Sequence, residues 1–277
     1  MNDLVPSLPA VLTFAASDPT SGAGLQADLL ALASMGCYPL SVVTAITVQD
    51  TAGVEAFYAL DPDWVADQAR CLLEDMPVAA FKMGMLGSTE IVTVVAEVVS
   101  DYPDVPLVLD PVLASGRGDE FAGEDMVSAI RELLVPQSTV VTPNIMELRR
   151  LAGDDDEDTD LAECAQRLLD TGCEYVLVTG THDTSTADVV NTLYHRGGVL
   201  RADNWQRLPG SFHGSGCTLA SALAANLARG LDIGDAVYEA QEYTWQALSH
   251  AFRPGMGQHL PDRLFWARED DAEDDAK

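Results

Sequence analysis

Residues 214–217, Gly-Ser-Gly-Cys, stand at the mouth of a predicted helix in the stretch HGSGCTLASALAANLARG. The first N–H groups of a helix lack partners within it and carry the positive end of its dipole, so such a turn can hold an anion, above all a phosphate. Gly214 and Gly216 would let that anion approach where a side chain blocks it. Without a ligand, the same residues read as a glycine-rich helix start with Ser215 as its cap. Cys217 lies on the first turn. It is either a small inert core residue or a thiol that the helix N-terminus draws toward neutrality, where its thiolate becomes a usable base.

Other polar residues follow predicted strands. Asp110, with Asn144 and Glu147, sets a strand-end carboxylate beside a helical N-x-x-E. Such hard oxygens suit Mg²⁺, which keeps several waters and bridges to phosphates. Glu147 is equally explained as a first-turn carboxylate facing the helix dipole, with no metal. SDPTSGAG frees the backbone at Gly22 and Gly24 before a helix, and Gln49-Asp50-Thr51, Gly84-Met85, LASGRGD and GTHD end further apolar runs. Neither GxxxxGK[ST] nor GxGxxG occurs, so a nucleotide site here is not of the P-loop or Rossmann type. His213 reads as fixing its turn through a backbone hydrogen bond, and His182, His195, His250 and His259 have no partners at metal-ligand spacing.

The elements that must position these residues alternate along the chain. Strands are predicted over 10–16, 40–49, 79–85, 106–110, 139–143 and 175–180, separated by helical patterns over 22–36, 62–76, 88–102, 123–135 and 159–172. That is the pattern of a parallel sheet covered on both faces. A hairpin over 187–195 and 198–204 reads as an antiparallel edge, and helices over 214–229 and 233–251 close the fold. In such sheets ligands bind beyond the carboxyl ends of the strands, where the polar residues fall. One α/β domain over 1–267 is expected, with an acidic disordered tail over 268–277. The acidic stretch 154–160 reads as a solvated loop whose last residues cap the next helix.

Composition bounds the partners. Fifteen basic against 44 acidic residues give a net charge of −29, which repels nucleic acid and anionic lipid. No run approaches the ~18 apolar residues of a membrane helix, and no signal peptide is visible. Five scattered cysteines without a CxxC pair argue against disulfides or a zinc site and favour a reducing cytoplasm. Two runs, 154–160 and 269–275, hold twelve of the acids, and the only lysines are Lys82 and Lys277. An acidic, lysine-poor surface over an ordinary core predicts a halophilic protein, in which salt screens the self-repulsion.

SDPTSGAGLQADL, TAITVQDTAGV, KMGML, VLDPVLASGRGD, TPNIMEL and HGSGCTLASALA occur in that order. Together they resemble the hydroxymethylpyrimidine/phosphomethylpyrimidine kinases of thiamine biosynthesis, in the ribokinase-like superfamily. The resemblance implies a three-layer sandwich with a mostly parallel central sheet and helices on both faces. It implies ATP- and Mg²⁺-dependent phosphorylation of hydroxymethylpyrimidine and then of its monophosphate, in a cytoplasmic homodimer. By the same resemblance Ala16 and Asp28 lie near the pyrimidine and its hydroxymethyl group, Gln49 reads the aminopyrimidine edge, and Met85 and Val112 pack on the ring. Asp110 and Glu147 join the magnesium and phosphate network, with Asn144 and Thr179 on the nucleotide side. Gly214, Ser215 and Gly216 form the anion hole, and Cys217 is the catalytic base. Many relatives carry a lysine in a VKGGH-like strand where this chain reads VTGTH, which leaves Mg²⁺, a monovalent ion or Arg117 to supply charge. Pyridoxal or pyridoxine kinase, and a non-catalytic binder of pyrimidine or pyridoxal phosphates, are the alternatives.

Overall fold

β1 (Ala10–Ser17) is the hub from which the sheet grows, and its alternation shows how the layers are specified. Leu12 and Phe14 enter the hydrophobic layer on one face, while Val11 enters the layer on the other. The computed structural model describes residues 8–114, 121–154, 159–181 and 187–268. Its nine-stranded sheet has the order β3-β2-β1-β4-β5-β6-β7-β8-β9. β2 (Tyr38–Gln49), β1, β4 (Ala80–Met83), β5 (Leu107–Leu109), β6 (Val140–Val141) and β7 (Tyr175–Val178) run parallel. β3 (Val54–Ala59) pairs antiparallel at one edge, and β8 (Asp188–His195) and β9 (Gly198–Gln206) do so at the other.

One face is covered by α2 (Pro62–Asp75), α3 (Thr89–Ser100), α4 (Glu124–Ala129), α5 (Ile145–Ala152) and α6 (Leu161–Thr171). The other carries α1 (Gly24–Ser34), α7 (Ser215–Ala228) and α8 (Ile233–Ser249). This is the three-layer, ribokinase-like arrangement that the motifs imply. Two elements depart from expectation. β3 was not predicted, because its residues are mostly exposed and lack the in-out alternation of a buried strand. The helix expected over 123–135 is α helix only to Ala129, then a π turn over Ile130–Leu134 and a 3₁₀ turn over Val135–Gln137. Pro136 lacks an N–H, so the i→i−4 ladder cannot continue through it.

The helix starts divide into two kinds. Side chains of Asp61, Ser88, Asn144, Asp160 and Asp232 cap α2, α3, α5, α6 and α8, as their residue types favour. No side chain caps α1, α4 or α7 among the described residues. The N-cap of α7 is Gly214 and not Ser215, which is the first helical residue. The uncapped starts of α1 and α7 meet at the carboxyl end of the sheet.

Candidate active site

A cleft of about 490 Å³ runs along the carboxyl ends of the parallel strands, a size suited to a small ligand. Ala16, Gln49, Met85, Val112, Asp110, Asn144, Glu147, Thr179, Gly214, Ser215, Gly216 and Cys217 all line it. At one end Ala16, Ala45 and Met85 form a small apolar cluster with Val112 and Phe121, separate from both core layers. Gln49 lies beside it on β2, with its Nε2 donating to Thr47 Oγ1 at 2.7 Å.

Asp28 does not line the cleft. It is fully buried on α1 behind the cleft wall, accepting from Thr13 Oγ1 at 2.7 Å and from Ser221 Oγ at 2.8 Å. Its carboxylate lies 3.0 Å from Lys82 Nζ, so its direct partner is a buried ammonium. The sequence alone shows a polar residue near a glycine-rich turn, not that a lysine on a distant strand claims it.

Lys82 is the cation that sequence reading passed over. On β4 it alternates with Phe81 and Met83, which face the opposite layer. Its Nζ reaches Asp110 Oδ2 at 3.6 Å. Burial alone would lower the ammonium, but Asp28, Cys217 and Asp110 together hold it above the usual lysine range. A lone lysine inside the apolar run AAFKMGM was the available signal.

Two carboxylates of the cleft, Asp110 and Glu147, are raised. Burial pushes Asp110 up, Lys82 pulls it down, and Asp28 adds to the rise. Glu147 is pushed up to about 8, by burial first and then by Asp110. Glu147 and Asn144 also form a reciprocal capping box, Asn144 N–H to Glu147 Oε2 and Glu147 N–H to Asn144 Oδ1, each at 2.9 Å. The helix-capping explanation of Glu147 therefore holds whether or not a metal binds. Asp110 Oδ2 is buried without a hydrogen-bond partner. A carboxylate oxygen with no hydrogen bond, 3.6 Å from Lys82 Nζ and beside a second carboxylate of raised proton affinity, fits a divalent cation that takes its remaining ligands from water and phosphate.

The turn before α7 gives its two glycines different duties. Gly214 has φ 84°, and a Cβ there would lie 1.8 Å from Gly22 O, so its glycine is demanded by the backbone of the neighbouring turn. Beside Gly216 the space is open, with Asp110 Oδ1 the nearest neighbour at 3.8 Å. Only Gly216 keeps room for a ligand. His213 makes the expected backbone hydrogen bond and adds a side-chain contact. Its ring Nε2 lies 2.9 Å from Asp18 Oδ2, while its own backbone N–H donates to His259 O at 2.9 Å. Burial raises Asp18, but His213 and the N–H groups of Ala23 and Thr20 lower it further, so it stays below the usual carboxylate range.

Cys217 is half-buried over this floor, in the field of Lys82, Asp110 and Asp28. The expectation of a thiol drawn toward neutrality is not met in the ligand-free molecule. Burial pushes the thiol up to about 12, Lys82 opposes the rise, and Asp110 and Asp28 add to it. Thr179, expected on the nucleotide side, lines the cleft with its N–H donating to Pro143 O at 3.0 Å. Arg117 and His182 lie outside the described residues.

Comparison with known proteins follows the same outline. The hydroxymethylpyrimidine/phosphomethylpyrimidine kinase of Streptomyces coelicolor is 39% identical over 254 residues, 90% of this chain and 92% of that protein. A chloroplastic thiamine biosynthetic bifunctional enzyme of Arabidopsis thaliana is 37% identical over 249 residues, 89% of this chain, which spans only 48% of that longer protein. Among solved structures, an ADP complex of Bacillus subtilis pyridoxal kinase superposes with a TM-score of 0.85 at 28% identity, covering 95% of this chain and 100% of that one. A family model described as phosphomethylpyrimidine kinase matches residues 18–262, from the first strand-end turn to the segment after α8. With that match over most of its length and a relative 39% identical across 92% of its own length, the chain belongs to the phosphomethylpyrimidine kinase family.

Proposed function

We propose that this chain transfers the γ-phosphoryl group of ATP to the hydroxymethyl oxygen of hydroxymethylpyrimidine, and then phosphorylates the resulting monophosphate, in thiamine biosynthesis. One observation carries the reading. A single cleft joins the apolar slot and Gln49 amide at one end to Asp110, Lys82, Cys217 and the uncapped start of α7 at its centre. The Gln49 amide offers a donor beside an acceptor, which complements an exocyclic amine next to a ring nitrogen. Met85 and Val112 hold the ring by contact, and the N–H groups of residues 214–217 meet the charge developing on the transferred phosphoryl.

Mg²⁺ held by Asp110 and Glu147 would supply charge neutralisation at the phosphates. The proton of the attacking hydroxyl goes to Cys217 in this reading. In the free protein its thiol is protonated, because burial raises it, Lys82 only partly opposes the rise, and Asp110 and Asp28 add to it. Neutralising the carboxylates of the cleft leaves Lys82 and the helix N-terminus to favour the thiolate when substrates are bound.

A second reading is pyridoxal kinase, favoured by the extent of the superposition on the Bacillus subtilis enzyme. Coupled ADP-release assays with hydroxymethylpyrimidine, its monophosphate and pyridoxal decide between them. Turnover of both pyrimidines at higher kcat/KM than pyridoxal is the expected result. Preference for pyridoxal would transfer the assignment to the second reading, and tight binding without turnover would make the chain a non-catalytic binder.

A further inference from the structure

Thr179 stands where a strand-end lysine would have placed a cation, yet a buried guanidinium lies behind the turn that opens α7. Arg263 lies in the segment LPDRLF after α8 and is 3% exposed. Its backbone is anchored on α8 at two points, with the Asp262 N–H donating to Ala247 O at 2.9 Å and the Tyr243 OH donating to Arg263 O at 2.8 Å. From there the side chain spans two turns far apart in sequence. Nε donates to Thr218 Oγ1 at 3.0 Å and Nη1 to Ser21 O at 3.2 Å. Nη2 donates to Gly22 O at 2.5 Å and to Gly214 O at 3.5 Å.

These acceptors are neutral oxygens, so the hydrogen bonds satisfy the fork without cancelling its charge. Ser21, whose carbonyl it holds, is the one non-glycine with positive φ among the described residues, at 61°. Such a conformation persists only where its surroundings over-determine it. Gly214 O also accepts from the Thr218 N–H at 3.0 Å and from Thr218 Oγ1 at 2.7 Å. In a trans peptide the C=O and the following N–H point in opposite directions, so fixing Gly214 O aims the Ser215 N–H away from the helix, toward the anion.

We propose that Arg263 is a positioning residue for phosphoryl transfer, which clamps the 21–22 and 214–218 turns together and supplies the fixed positive charge that Thr179 lacks. The inference rests on the kinase reading above, and its test separates the two. Arg263→Met and Arg263→Lys are compared with the full chain for kcat, KM for hydroxymethylpyrimidine, Tm and affinity for inorganic tripolyphosphate, a probe that needs no pyrimidine chemistry. Arg263→Met should lose about 10²-fold in kcat and about tenfold in tripolyphosphate affinity, while the pyrimidine KM stays within about threefold. Arg263→Lys, which keeps the charge and loses the fork, should retain tripolyphosphate affinity but stay about tenfold down in kcat. If both quantities stay near wild type, or the only change is in Tm, the proposal fails. Should Arg263→Met not fold, Arg263→Lys decides alone by the same criteria. A wild-type chain that binds tripolyphosphate without phosphorylating any pyrimidine sinks the kinase reading, and the affinity comparison still judges Arg263.

Discussion

Cys217 and Gln49 serve different halves of the proposed reaction, and each yields its own prediction. Gln49→Leu leaves the aminopyrimidine edge unpaired in the cleft, and kcat/KM on hydroxymethylpyrimidine should fall by about 1–3 kcal/mol in transition-state binding. Unchanged efficiency would place the ring elsewhere. Cys217→Ala should cost roughly 10²–10⁴-fold in phosphorylation of the alcohol, and less on the monophosphate, whose attacking group is already anionic near neutral pH. Equal losses on both substrates, or none, would remove Cys217 from the proton transfer. The thiol's state can be checked directly. With burial pushing it up to about 12, its thiolate fraction rises with pH throughout the range below that value. Iodoacetamide at pH 8.5 should therefore alkylate exposed Cys71 well before Cys217 in the folded, ligand-free protein, read by peptide mass spectrometry. Comparable labelling rates would refute the raised pKa. At this scale the sequence made legible the residues that follow strands, such as Asp110, Asn144 and Gln49. It did not show the partner of Asp28 and passed over Lys82 and Arg263, because a buried polar residue shows its meaning only through partners that the fold brings to it.

The capped and uncapped helix starts make a prediction about elements. Ser88 caps α3 and Asn144 caps α5, each accepting an N–H from the first turn. Replacing either with alanine should cost about 1 kcal/mol of stability, measured by denaturant unfolding. Only Asn144→Ala should also raise the KM for ATP, since Asn144 lines the cleft and orients Glu147, whereas Ser88 stands apart from it. Equal kinetic effects, or none from Asn144→Ala, would mean that the capping box serves α5 alone. Elements were readable where period and length agreed, as in α2 and α3 with their caps or β1 with its buried run. β3 was not, because an exposed edge strand is specified by pairing with β2 and not by a hydrophobic face. The π turn after Ala129 was hidden for a similar reason, since the apolar spacing of IRELLV fits a regular helix.

For the whole molecule, two proposals carried from the sequence can be decided in solution. A homodimer is supported by apolar side chains left exposed along the β2–β3 edge, with Val48 at 58% and Tyr58 at 68%. Sedimentation at micromolar concentration should give twice the chain mass, and a monomer would refute it. The proposal that the chain is adapted to high salt turns on which electrostatic effect is larger. Surface pairs such as Arg150–Glu124 and Arg167–Glu163 weaken as salt rises, but exposed pairs contribute only ~0–1 kcal/mol each. Against them stands the mutual repulsion of 44 acidic residues facing 15 basic ones, so most carboxylates have no cation to pair with. At ~1 M salt the Debye length falls to about 3 Å, which removes repulsion between neighbouring carboxylates while buried pairs such as Lys82–Asp28 keep their strength. The repulsive sum is the larger of the two, so Tm should rise from ~0.05 M to ~1 M sodium chloride. Chloride serves better than sulfate here, because sulfate also strengthens apolar burial and would mimic the effect. A Tm that stays flat or falls over that range would mean that the acidic surface is not an adaptation to salt.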